Sequence, residues 1–207
     1  MLSQNIQISL AGKFVISVVV CLLALMLLPF ALYAADNSDT TTISVSLGST
    51  ISISTTGTVS IDVTPVTGGS QSSASDTVTV STNNATGYNL TLADSDADTD
   101  LVHENETDTI TAHDGTFAAP TALDNNTWGY AIAGGDFDES YSTINNAASS
   151  TTKWAGVPAS GDEDTLKTTN DTASDDATTV WFSVKADTSN PNGDYSDTVT
   201  YTATTNN

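Results

Sequence analysis

Residues 178–205, TTVWFSVKADTSNPNGDYSDTVTYTATT, alternate apolar and polar side chains on both sides of a turn cluster. Val180, Phe182, Val184 and Ala186 interleave with Trp181, Ser183 and Lys185. Beyond Ser189, Asn190, Pro191, Asn192 and Gly193, the residues Tyr195, Asp197, Val199, Tyr201 and Ala203 interleave with Ser196, Thr198, Thr200 and Thr202. Successive side chains of a strand point to opposite faces, so a period of two belongs to strands with one buried face and excludes an amphipathic helix. With Pro, Asn and Gly between the two runs, the pattern predicts a closing β-hairpin.

The same signal recurs upstream. Residues 40–47, 50–55 and 58–65 read as short strands with Ile43, Val45 and Leu47, then Ile51 and Ile53, then Val59, Ile61 and Val63 on one face. Residues 67–73 read as a polar loop. Residues 76–81 and 88–92 form a second strand–turn–strand unit around Asn83, Asn84 and Gly87. Residues 127–133 add Trp128, Tyr130 and Ile132. The pattern fades over 93–127, where short hairpins or a functional loop set are expected, and over 137–179, which read as a polar excursion. Seven to nine short strands predict an all-β fold, an antiparallel β-sandwich of Ig-like or jelly-roll-like form. Its predicted core is Val78, Val80, Tyr88, Leu90, Leu92, Trp128, Tyr130, Ile132, Val180, Phe182, Val184, Tyr195, Val199 and Tyr201.

Ahead of this body, residues 14–35 are apolar apart from Ser17, with Lys13 before them and Asp36 after. Two readings stand. One is a secretory signal cut near Ala34 or Ala35; the other is a retained N-terminal transmembrane helix, since about 20 apolar residues span a bilayer. Both place the remainder outside the cytoplasm. The expected organisation is therefore 1–35 leader or anchor, 36–75 N-terminal strands and polar loop joining the sandwich, and 76–207 main sandwich.

Beyond the leader there are three lysines, no arginine and all 25 acidic residues, a formal charge of 3 − 25 = −22. Such a surface repels nucleic acid and anionic lipid, so membrane contact is expected only through residues 14–35 if they are uncleaved. The single cysteine, Cys21, lies within the leader, which excludes disulfides and thiolate chemistry from the body.

Asp94, Asp96, Asp98 and Asp100 place carboxylates at every second position and are the calcium candidates, because hard cations gather oxygen ligands. The calcium-loop spacing then breaks down, with Thr99 at the expected glycine and Asn105 at the expected glutamate; a solvated acidic tip is the competing reading. His103 and His113 lack a fixed zinc-site spacing and read as surface histidines. Gly-x-Ser-x-Gly and His-Glu-x-x-His stretches are absent. By strand parity, Lys185 and Trp181 point away from Val180, Phe182 and Val184. That leaves Trp181 either as an exposed contact or packed beneath residues 137–179.

The runs TVTVSTNNATGYNLTL at 77–92, NTWGY at 126–130, WAGVP at 154–158 and PNGDYSDTVTYTAT at 191–204 resemble a group of uncharacterised Thr-rich secreted proteins of ultra-small, host-attached bacteria. The resemblance implies an exported surface β-sandwich and brings no activity and no catalytic residues. The closing segment is also similar to WxL-type surface domains, although the Trp-x-Leu motifs of that group are absent.

The expected function is thus that of a non-enzymatic, extracellular or cell-surface protein. It would serve in adhesion or as an envelope or appendage component, with cell-envelope or host-surface partners. The alternative is an extracellular module binding carbohydrate or calcium through the acidic loops 93–127 and 136–164.

Overall fold

The computed structural model describes residues 37–133, 148 and 151–207. The apolar segment 14–35, and with it the expected N-terminal helix, lies outside the described residues. Among the described residues there is no helix. The strands are β1 (Ile51–Ser54), β2 (Ser70–Thr82), β3 (Tyr88–Asp94), β4 (Leu101–His103), β5 (Thr109–Ala112), β6 (Thr127–Ala133), β7 (Asp164–Thr168), β8 (Ala173–Ala186), β9 (Tyr195–Ser196) and β10 (Val199–Thr205). Leu47–Asn207 form one compact unit; of the unit before it, residues 37–46 are described and carry no strand.

Among the described residues the strands form two sheets. A seven-stranded sheet runs β1-β2-β8-β6-β5-β4-β9, and a three-stranded sheet runs β10-β3-β7. Pairing is antiparallel except between β5 and β6. The alternation places Val78 and Val80 of β2, Tyr88, Leu90 and Leu92 of β3, Tyr130 and Ile132 of β6 and Val180 and Phe182 of β8 in one apolar cluster fed by both sheets. All fourteen core residues expected from the sequence belong to that cluster or pack against it; Tyr195, Val199 and Tyr201 do so half-buried.

Two expectations are corrected. The closing segment is not a hairpin: β8 pairs with β2 and β6, whereas β10 pairs with β3 in the other sheet. Between them β9 touches down beside β4 on the far edge of the large sheet. The β2–β3 unit behaves alike, its turn at 83–87 carrying the chain from one sheet to the other. Period two states which face of a strand is buried. Both strands of a hairpin and both strands of an arch across a core satisfy it, so the pattern cannot choose between them. Among the predicted N-terminal strands, only 51–54 enters a ladder. Residues 40–47 are unpaired and exposed, while Val59, Ile61 and Val63 pack on the core without a strand partner.

The stretches read as loops also hold strands. Residues 70–75 extend β2, 164–168 are β7, and 173–179 are the first half of β8. Their inward positions are polar, which erased the pattern. Asp176 of β8 accepts from Tyr88 Oη of β3 at 2.7 Å and from Lys167 Nζ of β7 at 2.6 Å. Tyr130 Oη of β6 donates to Asp164 Oδ2 of β7 at 2.6 Å. These side chains tie one sheet to the other where apolar residues would otherwise stand, and buried hydroxyls need such partners. At Asp176 burial opposes the charge, but Lys167 and Tyr88 outweigh it and hold the carboxyl below its ordinary range. Burial raises Asp164 despite its Tyr130 bond. On the other face of the large sheet, Gln71 Nε2 and Ser73 Oγ of β2 both reach the fully buried Ser183 hydroxyl of the neighbouring β8, at 3.0 and 2.9 Å.

Lys185 does face away from the core strands but not into free solvent, since its Nζ donates to Leu123 O at 3.1 Å. Trp181 is half-buried and packs against the apolar cluster.

Candidate functional site

The acidic stretch after β3 is built by its own carboxylates. Asp94 Oδ1 accepts from Asp96 N at 3.1 Å, Asp96 Oδ1 from Asp98 N at 2.8 Å, and Asp98 Oδ1 from Asp100 N at 3.2 Å. Each aspartate thus closes a turn on the amide two residues ahead, which is a structural reason for acids at every second position. The four differ in exposure. Asp94 is buried, Asp96 and Asp98 are exposed, and Asp100 is intermediate.

The turn is stitched to the second acidic loop. Asp94 N donates to Pro158 O at 2.8 Å, and Ser160 N donates to Asp96 O at 2.7 Å. Farther along, Thr121 and Trp154 exchange main-chain bonds, and Gly156 N donates to Gly115 O at 2.7 Å. The described parts of loops 93–127 and 136–164 therefore meet, as a shared site would require. Trp128 of β6 anchors the first of them by donating Nε1–H to Thr99 O at 2.8 Å.

A residue outside the predicted set completes the acidic corner. The β3–β10 register opposes Asp94 to Val199, and Ser95 N donates to Thr198 O at 2.9 Å, which brings Asp197 to Asp94. Asp94 Oδ2 and Asp197 Oδ2 are both buried, and neither receives a protein donor. Asp197 Oδ1 accepts from Thr198 N at 2.7 Å. Burial first, and then the facing Asp94 and Asp96 carboxylates, push Asp197 up to about 7. Two carboxylates held this way share a proton or a cation, because neither arrangement leaves like charges buried unpaired. No local signal marks Asp197; only the pairing of β3 with β10 reveals it. Among the described residues, no three His, Cys, Asp or Glu side chains gather closely enough to form a metal cluster of their own.

Neither histidine is on the surface, which corrects the expectation. His103 is 6% exposed. Asn105 N donates to its Nδ1 at 3.0 Å, so Nε2 carries the proton and donates to Asn192 O at 3.2 Å, with Tyr195 edge-on at 4.7 Å. His113 is 4% exposed, with Nε2 and Thr121 Oγ1 2.8 Å apart and Nδ1 3.6 Å from Asp124 Oδ2. The two belong to separate clusters of partners and do not form a pair. Each packs a loop: both ring nitrogens of His103 have hydrogen-bond partners, whereas His113 is held through Nε2 alone and its buried Nδ1 has none.

Burial lowers the pKa of His113 more than Asp124 and Asp114 raise it. A depressed histidine is neutral in the fold and protonated more readily in the unfolded chain. Its contribution is therefore fully present above about pH 6.5 and is lost as pH falls through that value. Because Asp197 titrates in the opposite sense, the test is a difference between two proteins. From pH 7.5 to 5.5, wild type is expected to lose stability relative to His113→Gln, by up to about 1 kcal/mol per pH unit. Parallel Tm profiles for the two proteins would show that His113 is not linked to folding.

Two shallow hollows indent the surface. One is lined by Thr50, Ile51, Ser52, Ser81, Thr82, Asn83 and Ala173, and the other by residues 169–177. Neither holds a histidine beside a nucleophile. No family model, no curated protein and no solved structure matches this chain.

Proposed function

We propose that this chain is a non-enzymatic, exported β-sandwich protein of Ig-like or jelly-roll-like form, acting at the cell surface in adhesion or as an envelope or appendage component. The observation that carries the reading is the joining of an apolar leader, residues 14–35, to an acidic body made only of sheets among its described residues. Support comes from how that body stands without disulfides. A core fed by both sheets and the Asp176–Lys167–Tyr88 and Tyr130–Asp164 bonds between them replace covalent staples. Its partners are cell-envelope or host-surface components, and its charge disfavours nucleic acid. Cell fractionation of the full chain tests this: it should be recovered from the envelope or the medium, and recovery with the cytosol would overturn the reading.

A second reading, a calcium-binding extracellular module, is favoured by the donorless Asp94 and Asp197 oxygens at the β3–β10 corner. Asp94 and Asp197 would be the ligands from the two strands, with Asp96 beside them, and main-chain oxygens and water would complete the 6–8 ligands calcium takes. Binding only to the folded chain raises stability by mass action, about 2.7 kcal/mol at a hundred times Kd. Millimolar calcium is expected to raise the Tm of wild type and to leave Asp197→Asn unmoved. A wild-type Tm indifferent to calcium would end this reading.

A further inference from the structure

We infer that this chain joins copies of itself by strand addition, residues 41–47 of one copy extending the three-stranded sheet of the next along the free edge of β10. The inference rests on the exported-component reading and names its partner, a second copy of this chain.

The donor is the stretch that alternates but finds no ladder. Ile43, Val45 and Leu47 are 85%, 81% and 86% exposed. Scattered apolar residues on a surface need no explanation, but a row of three at strand spacing is an interaction site or an aggregation hazard. Among the described residues this row has no strand partner, which leaves it open to a second copy.

The acceptor is a gap in the smaller sheet. Among the described residues, seven strands on one side face a sheet of three, of which β10 is an edge. Among the described residues, no main-chain bond reaches the outer edge of β10 from another segment. On β3 the inward residues Tyr88, Leu90 and Leu92 are fully buried, whereas Val199, Tyr201 and Ala203 of β10 are only half-buried. In the larger sheet β1 lies against β10, and Ile51 there is half-covered too, as are Val59 and Ile61 in the segment that follows. Apolar groups of both layers thus remain partly open, and one more strand beside β10 would cover them with Ile43, Val45 and Leu47.

Length and charge select this edge. Both β10 and the donor stretch run seven residues, 199–205 and 41–47. Residues 40–61 and 198–207 contain no charged side chain, in a body of 25 acids against three lysines. The other edges fit less well. β7 contains Asp164 and Lys167, β9 lies between Asp194 and Asp197, and β1 is four residues long. Two strongly acidic copies approach at lowest cost where neither presents charge. Main-chain bonds supply the pairing and alternate side chains the register, the usual logic of strand addition. Donor and acceptor are different surfaces, so each added copy exposes a new edge and the assembly is an open chain or a ring.

The test uses the full chain, with Cys21→Ser, recovered from an expression host's envelope in mild detergent. Two differently tagged populations carry one cysteine each, Ser44→Cys or Ser46→Cys in one and Thr200→Cys, Thr202→Cys or Thr204→Cys in the other. These positions share the outward parity, and neighbouring strands bring such residues within disulfide reach. The expected result is a mixed-tag disulfide dimer in the pairings that match the register. Ile43→Asp with Val45→Asp should weaken association at least about a hundredfold, since two apolar contacts are lost. Absence of mixed-tag dimers in every pairing would overturn the inference. So would disulfides that form only within one chain carrying both cysteines, or an aspartate variant that assembles like wild type. A chain that is exported yet monomeric sinks strand addition alone; a chain found in the cytosol sinks the surface reading instead.

Discussion

Trp154→Ala is expected to lower the free energy of unfolding by about 3–5 kcal/mol. Trp154 is 1% exposed and is the largest of the fully buried side chains. It lies in the apolar cluster with Leu123 and Val157, and its main chain exchanges bonds with Thr121 at 2.7 and 3.0 Å. The segment around it cannot readily close over a void, because Ala155 is bonded in both directions to Tyr130 of β6 and Gly156 to Gly115. A cavity that cannot collapse keeps its full cost. In a unit of this size each kcal/mol moves Tm by roughly 2–4 °C, so a fall of about 10 °C is expected in a thermal melt. Urea unfolding supplies the check, with the midpoint lowered and the slope unchanged. A loss below about 1 kcal/mol would mean that residues 151–158 are not part of the cooperative core.

Gly87→Ala should cost a similar amount for a different reason. Gly87 has φ of +81°, and a Cβ placed there would sit 2.2 Å from Thr169 O and 2.4 Å from Thr169 C. Its own carbonyl accepts from Asn84 Nδ2 at 2.8 Å and from Asn206 N at 3.0 Å, so the turn is held from both sides. The left-handed backbone costs an L-residue about 1–2 kcal/mol, and displacing a packed main chain adds about 1–3 more. Gly161→Ala separates the two contributions. Gly161 has φ of +99° with nothing within 4 Å of a new Cβ, so only the backbone share is expected. Equal losses at the two sites in matched denaturation curves would remove the steric argument at Gly87 and, with it, the close packing of the 83–87 turn on the end of β7.

The turn around Gly87 also shows how far local sequence reaches. Asn83, Asn84 and Gly87 mark a chain reversal correctly, yet the reversal leads into another sheet. The acidic corner repeats the lesson. Asp94, Asp96, Asp98 and Asp100 stand out by spacing, and the spacing serves consecutive turns on the following amides. Asp197, which faces Asp94, has no spacing to announce it. β7 and the first half of β8 were illegible because Asp164 and Asp176 occupy inward positions, where a pattern reading demands apolar residues. Tyr88, Tyr130 and Lys167 make those positions tolerable; the tyrosines are 88 and 34 residues from their aspartates, and Lys167 stands on a different strand from Asp176.

Strand parity was determined by the amino-acid sequence alone. Period two places Val78, Val80, Leu90, Leu92, Val180 and Phe182 on inward faces whatever their partners, because the pleat alternates side chains regardless of what lies alongside. Partner choice belonged to the tertiary structure. β8 runs between β2 and β6, β10 lies against β3, and Asp197 meets Asp94. Pairing is settled by registers between strands far apart in the chain and by the polar bonds that cross from sheet to sheet. Those energies depend on which edges meet, a quantity that no window of sequence contains.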